Sequence, residues 1–192
     1  MAHIKWLVLA ALAMWSLAGP GAAAGDSPEA WAALARGGHV ALIRHGNAPP
    51  GYGGDPPGFK IDDCATQRNL DKKGRAQARA LGEAFRRHGV RADKVLSSPW
   101  CRCLETARLM GLGPVDGTWV AAASDQSPER LAAMRQMLAG WRGPGTLVVV
   151  THALTVQALV GLMPGQAETV VVRPQPGREP GLEVVGRIPV PE

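Results

Sequence analysis

The sequence predicts an α/β fold: a three-layer sandwich with a mostly parallel central sheet flanked by helices. Three observations point to it. Short, nearly all-apolar runs, Val40-Ala41-Leu42-Ile43 and Leu147-Val148-Val149-Val150, have the character of strands covered on both faces. They alternate with longer amphipathic stretches closed by glycine, the pattern of strands joined by crossover helices. Both runs also end in a histidine: His45, within Arg44-His45-Gly46, and His152, after Thr151. Open α/β sheets build their ligand sites at that carboxyl edge.

Taken in order, Pro28 to Arg36 reads as a short helix stopped by Gly37-Gly38, and His39 to Arg44 as the first strand. Gly46 to Asn69 is long, irregular and rich in Gly and Pro; loops of that length usually serve a function. Asp71 caps a helix running to His88, with Ala78, Leu81 and Phe85 on its apolar side and Gly89 as its stop. Lys94 to Ser97 is a second strand, and Pro99 opens a helix through Arg108. Gly111 to Gln126 reads as irregular. Ser127-Pro128-Glu129 starts a helix reaching Trp141, broken by Gly143-Pro144-Gly145. Thr146 to Thr151 is a strand and Leu154 to Met163 a helix. Thr169 to Val172 and Glu183 to Ile188 form two last strands, paired as a hairpin at the sheet edge.

The chain has 192 residues, enough for one domain with a core, expected over residues 25–192. Residues 1–24 read as a signal peptide: Lys5 for the charged start, Trp6 to Leu17 for the apolar stretch, and Ala22-Ala23-Ala24 for the cleavage site. A periplasmic or secreted protein with no stable membrane span after cleavage is expected, since the apolar stretch is short for a bilayer. The formal charge of +5 suits an anionic partner. Nucleic acid is disfavoured, because the chain lacks zinc-finger spacing, a basic aromatic repeat and a long basic tail. Arg75, Arg79, Arg86 and Arg87 read as a solvated helix face. Three cysteines and export make a disulfide plausible, from Cys64 to Cys101 or Cys103, tying the loop after the first strand to the helix that carries Arg102. No metal is expected: the cysteines lack ligand spacing, and the histidines lack both a carboxylate cluster and a two-histidine helical motif. No cofactor is expected either.

Two strand-end histidines with arginines nearby point to chemistry on phosphate. Phosphoryl transfer through histidine needs a neutral ring nitrogen aimed at phosphorus and cations for the equatorial oxygens. Arg44 and Arg102 suit the second task, because guanidinium forks match phosphate oxygens and stay charged. Arg102 also lies just inside a helix opening, in Ser97-Ser98-Pro99-Trp100-Cys101-Arg102, where free N–H groups favour an anion. His152 supplies a second imidazole. Asn47 and Arg68 are candidate substrate contacts.

Three features resemble the histidine phosphatase superfamily, the phosphoglycerate-mutase-like fold. They are Ile43-Arg44-His45-Gly46; the helix start Asn69-Leu70-Asp71-Lys72-Lys73-Gly74-Arg75; and Ser97-Ser98-Pro99-Trp100-Cys101-Arg102-Cys103-Leu104-Glu105-Thr106 with the later Val150-Thr151-His152. The resemblance implies a phosphomonoesterase in which His45 becomes phosphohistidine and Arg44, Arg102 and His152 complete the pocket. Exported forms resembling lipopolysaccharide-core heptose phosphate phosphatases look closest, which implies a phosphorylated small molecule or an envelope glycolipid as partner. The alternatives are a catalytically silent phosphate-binding module and a phosphoglycerate-mutase-type phosphotransferase. For the general acid, one branch of the family has a carboxyl directly after the second histidine, where this chain has Ala153. Another uses a glutamate beyond the second arginine, a stretch that holds Asp116, Asp125 and Glu129. Glu168, after Pro164-Gly165, is a further candidate. Without an acid, substrates with good leaving groups fit better.

Overall fold

A computed structural model describes residues 27–49, 54–125, 127–178 and 181–190, without the side chains of residues 123–125. The expected signal peptide, 1–24, lies outside the described residues.

The described elements run α1 (Pro28–Arg36), β1 (Val40–Arg44), α2 (Lys72–Arg87), β2 (Ala92–Ser97), α3 (Cys101–Met110), β3 (Val115–Gly117), α4 (Pro128–Ala139), β4 (Thr146–Thr151), α5 (Ala153–Val160), β5 (Thr169–Pro174) and β6 (Leu182–Ile188). Among them the strands form one six-stranded mixed sheet, ordered β3-β2-β4-β1-β5-β6. The four strands from β3 to β1 are parallel. β5 joins β1 antiparallel and forms the expected edge hairpin with β6.

Strand alternation explains the three layers. Ala41 and Ile43 of β1, with Val148 and Val150 of β4, face α1, α2 and α3 through Leu34, Leu81, Phe85, Ala107 and Met110. Val40 and Leu42, with Leu147 and Val149, face the opposite way onto Met134, Leu138, Val156 and Leu159 of α4 and α5. Both sides of each central strand are therefore apolar, which is why these runs show no polar alternation.

Two expectations are corrected. The stretch Gly111 to Gln126, read as irregular, contains β3 and a 3-10 helix, Trp119–Asp125. α5 and α4 end earlier than their apolar patterns suggested, at Val160 and Ala139, where Gly161 and Gly140 follow. The caps expected at Asp71 and Ser127 form, each accepting a backbone N–H of the first helical turn, and Ser27 caps α1 in the same way.

One close approach seats α2 beneath the site. Asp71 N–H donates to Asn47 O (3.1 Å), and a Cβ built on Gly74 would lie 2.1 Å from Asn47 O and 2.8 Å from Asn47 N. A glycine in a helix normally costs up to about 1 kcal/mol relative to alanine. Gly74→Ala should nevertheless destabilise, by roughly 1–3 kcal/mol of overpacking strain. A chemical-denaturation curve reads the sign directly; a stabilised variant would refute this account of the contact.

Candidate active site

Parallel pairing sets the two imidazoles side by side. Arg44 and Thr151 are register partners in β1 and β4, and His45 N–H donates to Thr151 O (3.1 Å). His45 and His152 therefore leave the sheet at one level, with ring centroids 5.7 Å apart and planes at 71°. Ser98 N–H, at the end of β2, donates to Val150 O (2.9 Å) and brings the start of α3 to the same edge.

His45 is 4% exposed, and its Nδ1 lies 2.8 Å from Gly46 O. A carbonyl only accepts, so Nδ1 carries the hydrogen and Nε2 keeps its lone pair. Burial pushes the ring pKa down to about 3; the Gly46 hydrogen bond opposes this, and Arg102, Arg44 and Arg68 add to it. The ring is therefore neutral near pH 7, the form in which imidazole is a nucleophile. His152 is also held well below the ordinary histidine range, first by burial and then by Arg102 and His45. Its Nε2 shares a 2.8 Å hydrogen bond with Ser98 Oγ. The buried thiol of Cys103, pushed up to about 12 by burial, donates to Thr151 O behind that ring.

A cavity of about 360 Å³ opens over these rings, lined by Arg44, His45, Arg68, Arg102, His152 and Ala153 together with Gly54, Asp55, Phe59, Trp100 and Leu154. The three arginines each keep a buried Nε with no hydrogen-bond partner. Burial lowers the pKa of Arg44 and of Arg68, and Arg102 lowers that of Arg68 further. Buried donors without acceptors are costly, and an anion would satisfy them. A larger cleft of about 500 Å³, between α4 and the turn after β5, contains Arg135 and Arg178 but no imidazole.

Of the other expected contacts, Arg68 does line the cavity, with NH1 on Ala48 O (3.3 Å). Asn47 does not: its Nδ2 donates to Asp71 Oδ2 (2.6 Å) and its N–H to Gln77 Oε1 (2.8 Å), so it braces the loop onto α2. Glu168 is also outside the lining. It accepts from Gly165 N and from Arg187, and so secures the turn whose Pro164 O accepts from Arg44 NH1 (3.0 Å). Glu129 is exposed in the first turn of α4 and Asp116 is exposed on β3. The side chain of Asp125 lies outside the described residues.

The carboxylate that does line the cavity escaped the sequence reading. Asp55 accepts from Arg102 NH1 with both oxygens (2.9 and 3.1 Å), from Trp100 Nε1 (2.9 Å) and from Arg68 N–H (2.8 Å). The side chains of Arg102 and Asp55 are only 7% and 5% exposed. Loop and helix are also joined covalently. Cys64 and Cys101 form the disulfide, Cys103 keeps its thiol, and Gln67 Oε1 caps the first N–H of α3 at Cys101 (3.0 Å).

The histidine phosphatase superfamily (branch 1) sequence profile matches residues 40–116, which include Arg44, His45, Arg68 and Arg102. No curated protein matches the chain by sequence. Among solved structures, the protein histidine phosphatase SixA complexed with tungstate is similar over 79% of this chain and 96% of its own, at 19% identity and a TM-score of 0.58. The product of open reading frame Rv3214 from Mycobacterium tuberculosis is similar over 79% and 97%, at 17% identity and a TM-score of 0.59. A mycobacterial glucosyl-3-phosphoglycerate phosphatase in complex with VO3 is similar over 80% and 99%, at 15% identity and a TM-score of 0.57.

Two outcomes test this geometry. Unfolded but unreduced protein should expose one thiol, and three after reduction. Cys64→Ser should cost about 4 kcal/mol, the loop-closure entropy expected for its 37-residue separation. Three free thiols without reductant would exclude the bridge. The second outcome concerns pH. Between pH 6.5 and about 3, a histidine in the unfolded chain binds a proton that folded His45 does not. Stability should therefore fall with pH across that window, by up to about 1.4 kcal/mol per unit from this residue, with His152 adding in the same direction. His45→Gln should flatten the slope of unfolding free energy measured from pH 7 to 4.5; an unchanged slope would contradict the depressed His45. The chain has the histidine phosphatase fold, with the family's matched segment carrying the arginines and the first histidine of the pocket.

Proposed function

We propose that the protein is an exported, metal-independent phosphomonoesterase that works through a phosphohistidine on His45. One observation carries the reading: a buried, neutral imidazole with a free Nε2 stands among three arginines whose Nε groups have no partner. The guanidiniums supply the positive charge that equatorial phosphoryl oxygens require. In the first step Nε2 attacks phosphorus and the ester P–O bond breaks, releasing an alcohol. In the second, water attacks the phosphohistidine, the P–N bond breaks, and His45 returns to its neutral form with release of phosphate.

The solved structures named above include proteins described as phosphatases, which supports the reaction class. Export rests on the signal-peptide pattern, and the Cys64–Cys101 bridge supports it, since disulfides persist in oxidising compartments. A phosphorylated sugar or envelope glycolipid is the substrate class that this location and the heptose phosphatase resemblance favour.

The test is phosphate release from an aryl phosphate by wild type and His45→Ala, with chelator present. Turnover should resist the chelator and fall roughly a thousandfold or more in the variant. Turnover retained by His45→Ala would rule out the phosphohistidine route. Phosphate-dependent thermal stabilisation without any turnover would instead identify a silent binding module.

A further inference from the structure

We propose that Asp55, brought into the cavity by the Gly- and Pro-rich loop after β1, is the general acid that protonates the leaving oxygen. The inference rests on the phosphomonoesterase reading above.

An ester oxygen that leaves as an alkoxide needs a proton from a group within hydrogen-bond reach. Glu129, Glu168 and Asp116 stand outside the cavity, and the position after His152 is Ala153. Among the described lining residues, Asp55 is the one carboxylate, and it shares that lining with His45, His152 and all three arginines. Its placement is built rather than incidental. Trp100 Nε1 and Arg68 N–H each donate to it, and Arg68 N–H comes from the same loop. The Cys64–Cys101 disulfide and the Gln67 cap fasten that loop to α3.

Both oxygens of Asp55 meet Arg102 through NH1 alone, which leaves Arg102 Nε unpartnered. A phosphate group entering the arginine cluster competes with this carboxylate for Arg102. Like charges brought together share protons. A monoanionic ester can therefore hand its phosphate proton to the carboxylate that it displaces. The protonated carboxyl then gives that proton to the ester oxygen as the P–O bond breaks and the Nε2–P bond forms. The acid is thereby returned to its carboxylate form, and in the second step the attacking water's proton goes to a phosphoryl oxygen as the P–N bond breaks. No co-reactant beyond water is needed.

The experiment compares wild type, Asp55→Asn, Asp55→Glu and His45→Ala on two substrates: an alkyl phosphate, whose leaving group needs a proton, and dinitrophenyl phosphate, whose leaving group does not. Asp55→Asn keeps an oxygen for Arg102 and Trp100 but carries no acidic proton. Its kcat on the alkyl ester should fall roughly 100-fold or more, at least about tenfold further than its kcat on dinitrophenyl phosphate. Turnover of the second substrate also shows that the variant is folded. Asp55→Glu should regain part of the alkyl rate. Equal losses on both substrates, or equal losses in the Asn and Glu variants, overturn the assignment and leave Asp55 a positioning group. A rise in rate or in phosphate affinity in Asp55→Asn also overturns it, by showing a carboxylate that merely blocks the cluster. Wild-type turnover that survives His45→Ala overturns the phosphohistidine reading itself. A wild type inactive on both substrates overturns both.

Discussion

Three guanidinium groups facing one buried neutral imidazole repel one another and sit in an environment that disfavours charge, so the surrounding structure has to hold them in place. Each arginine is held through a different neighbour. Arg44 is tied to Pro164 O, Arg68 to Ala48 O, and Arg102 to Asp55. These acceptors use only part of each fork, and the partnerless Nε atoms face an unmet demand for an anion. Burying polar donors without partners costs roughly 1–3 kcal/mol apiece, and that cost falls on the free protein. Part of the apolar sheet's stabilisation thus offsets a cluster made for a ligand. The same burial keeps His45 neutral.

In the described part of the loop after β1, local turns such as Asp63 N–H to Lys60 O and Gln67 N–H to Cys64 O give the backbone its own hydrogen bonds. Long-range contacts then fix its place on the molecule. The disulfide joins it to the first residue of α3, Gln67 caps that helix, and Asp55 reaches Arg102 and Trp100. On the near side, Gly46 N–H donates to Thr106 Oγ1 (3.1 Å), and Thr106 in turn donates to Arg102 O (2.7 Å). Backbone next to His45, the arginine helix and the loop are therefore joined through one run of hydrogen bonds. Trp119 packs in a T-shaped contact against Trp100 of the cavity lining (ring centroids 5.7 Å).

What was readable from the chain depended on how locally each feature is encoded. His45 and His152 follow uninterrupted apolar strands, so their place at the sheet edge followed from pattern alone. Asp71 and Ser127 announce helix starts within a single turn. β3 did not show: it is three residues long, includes Asp116 and Gly117, and exists because it pairs with β2. Asp55 stayed hidden for a related reason, since its partner Arg102 lies 47 residues away and only the fold brings them together. Asn47 and Glu168 were recognisable as polar groups near the site, but their partners, Asp71 and Arg187, turn them into braces. Cys64 had two possible partners until the orientation of α3 left Cys103 buried behind His152 and Cys101 toward the loop.

The environment of His45 also sets where the difficulty of the proposed reaction lies. A ring with depressed proton affinity is a modest nucleophile but a good leaving group. Its Nδ1–H is oriented by the carbonyl of Gly46 rather than by a carboxylate, so the ring gains direction without a neighbouring negative charge. In the proposed route such a ring would leave phosphorus readily, and the arginines would compensate the attack by neutralising charge on the transferring group. With the second step eased in this way, the first depends on the ester's own leaving oxygen. A pocket arranged so gains most from a proton donor at that oxygen, and the one carboxylate among its described lining residues is held there by Arg102, Trp100 and the backbone of Arg68.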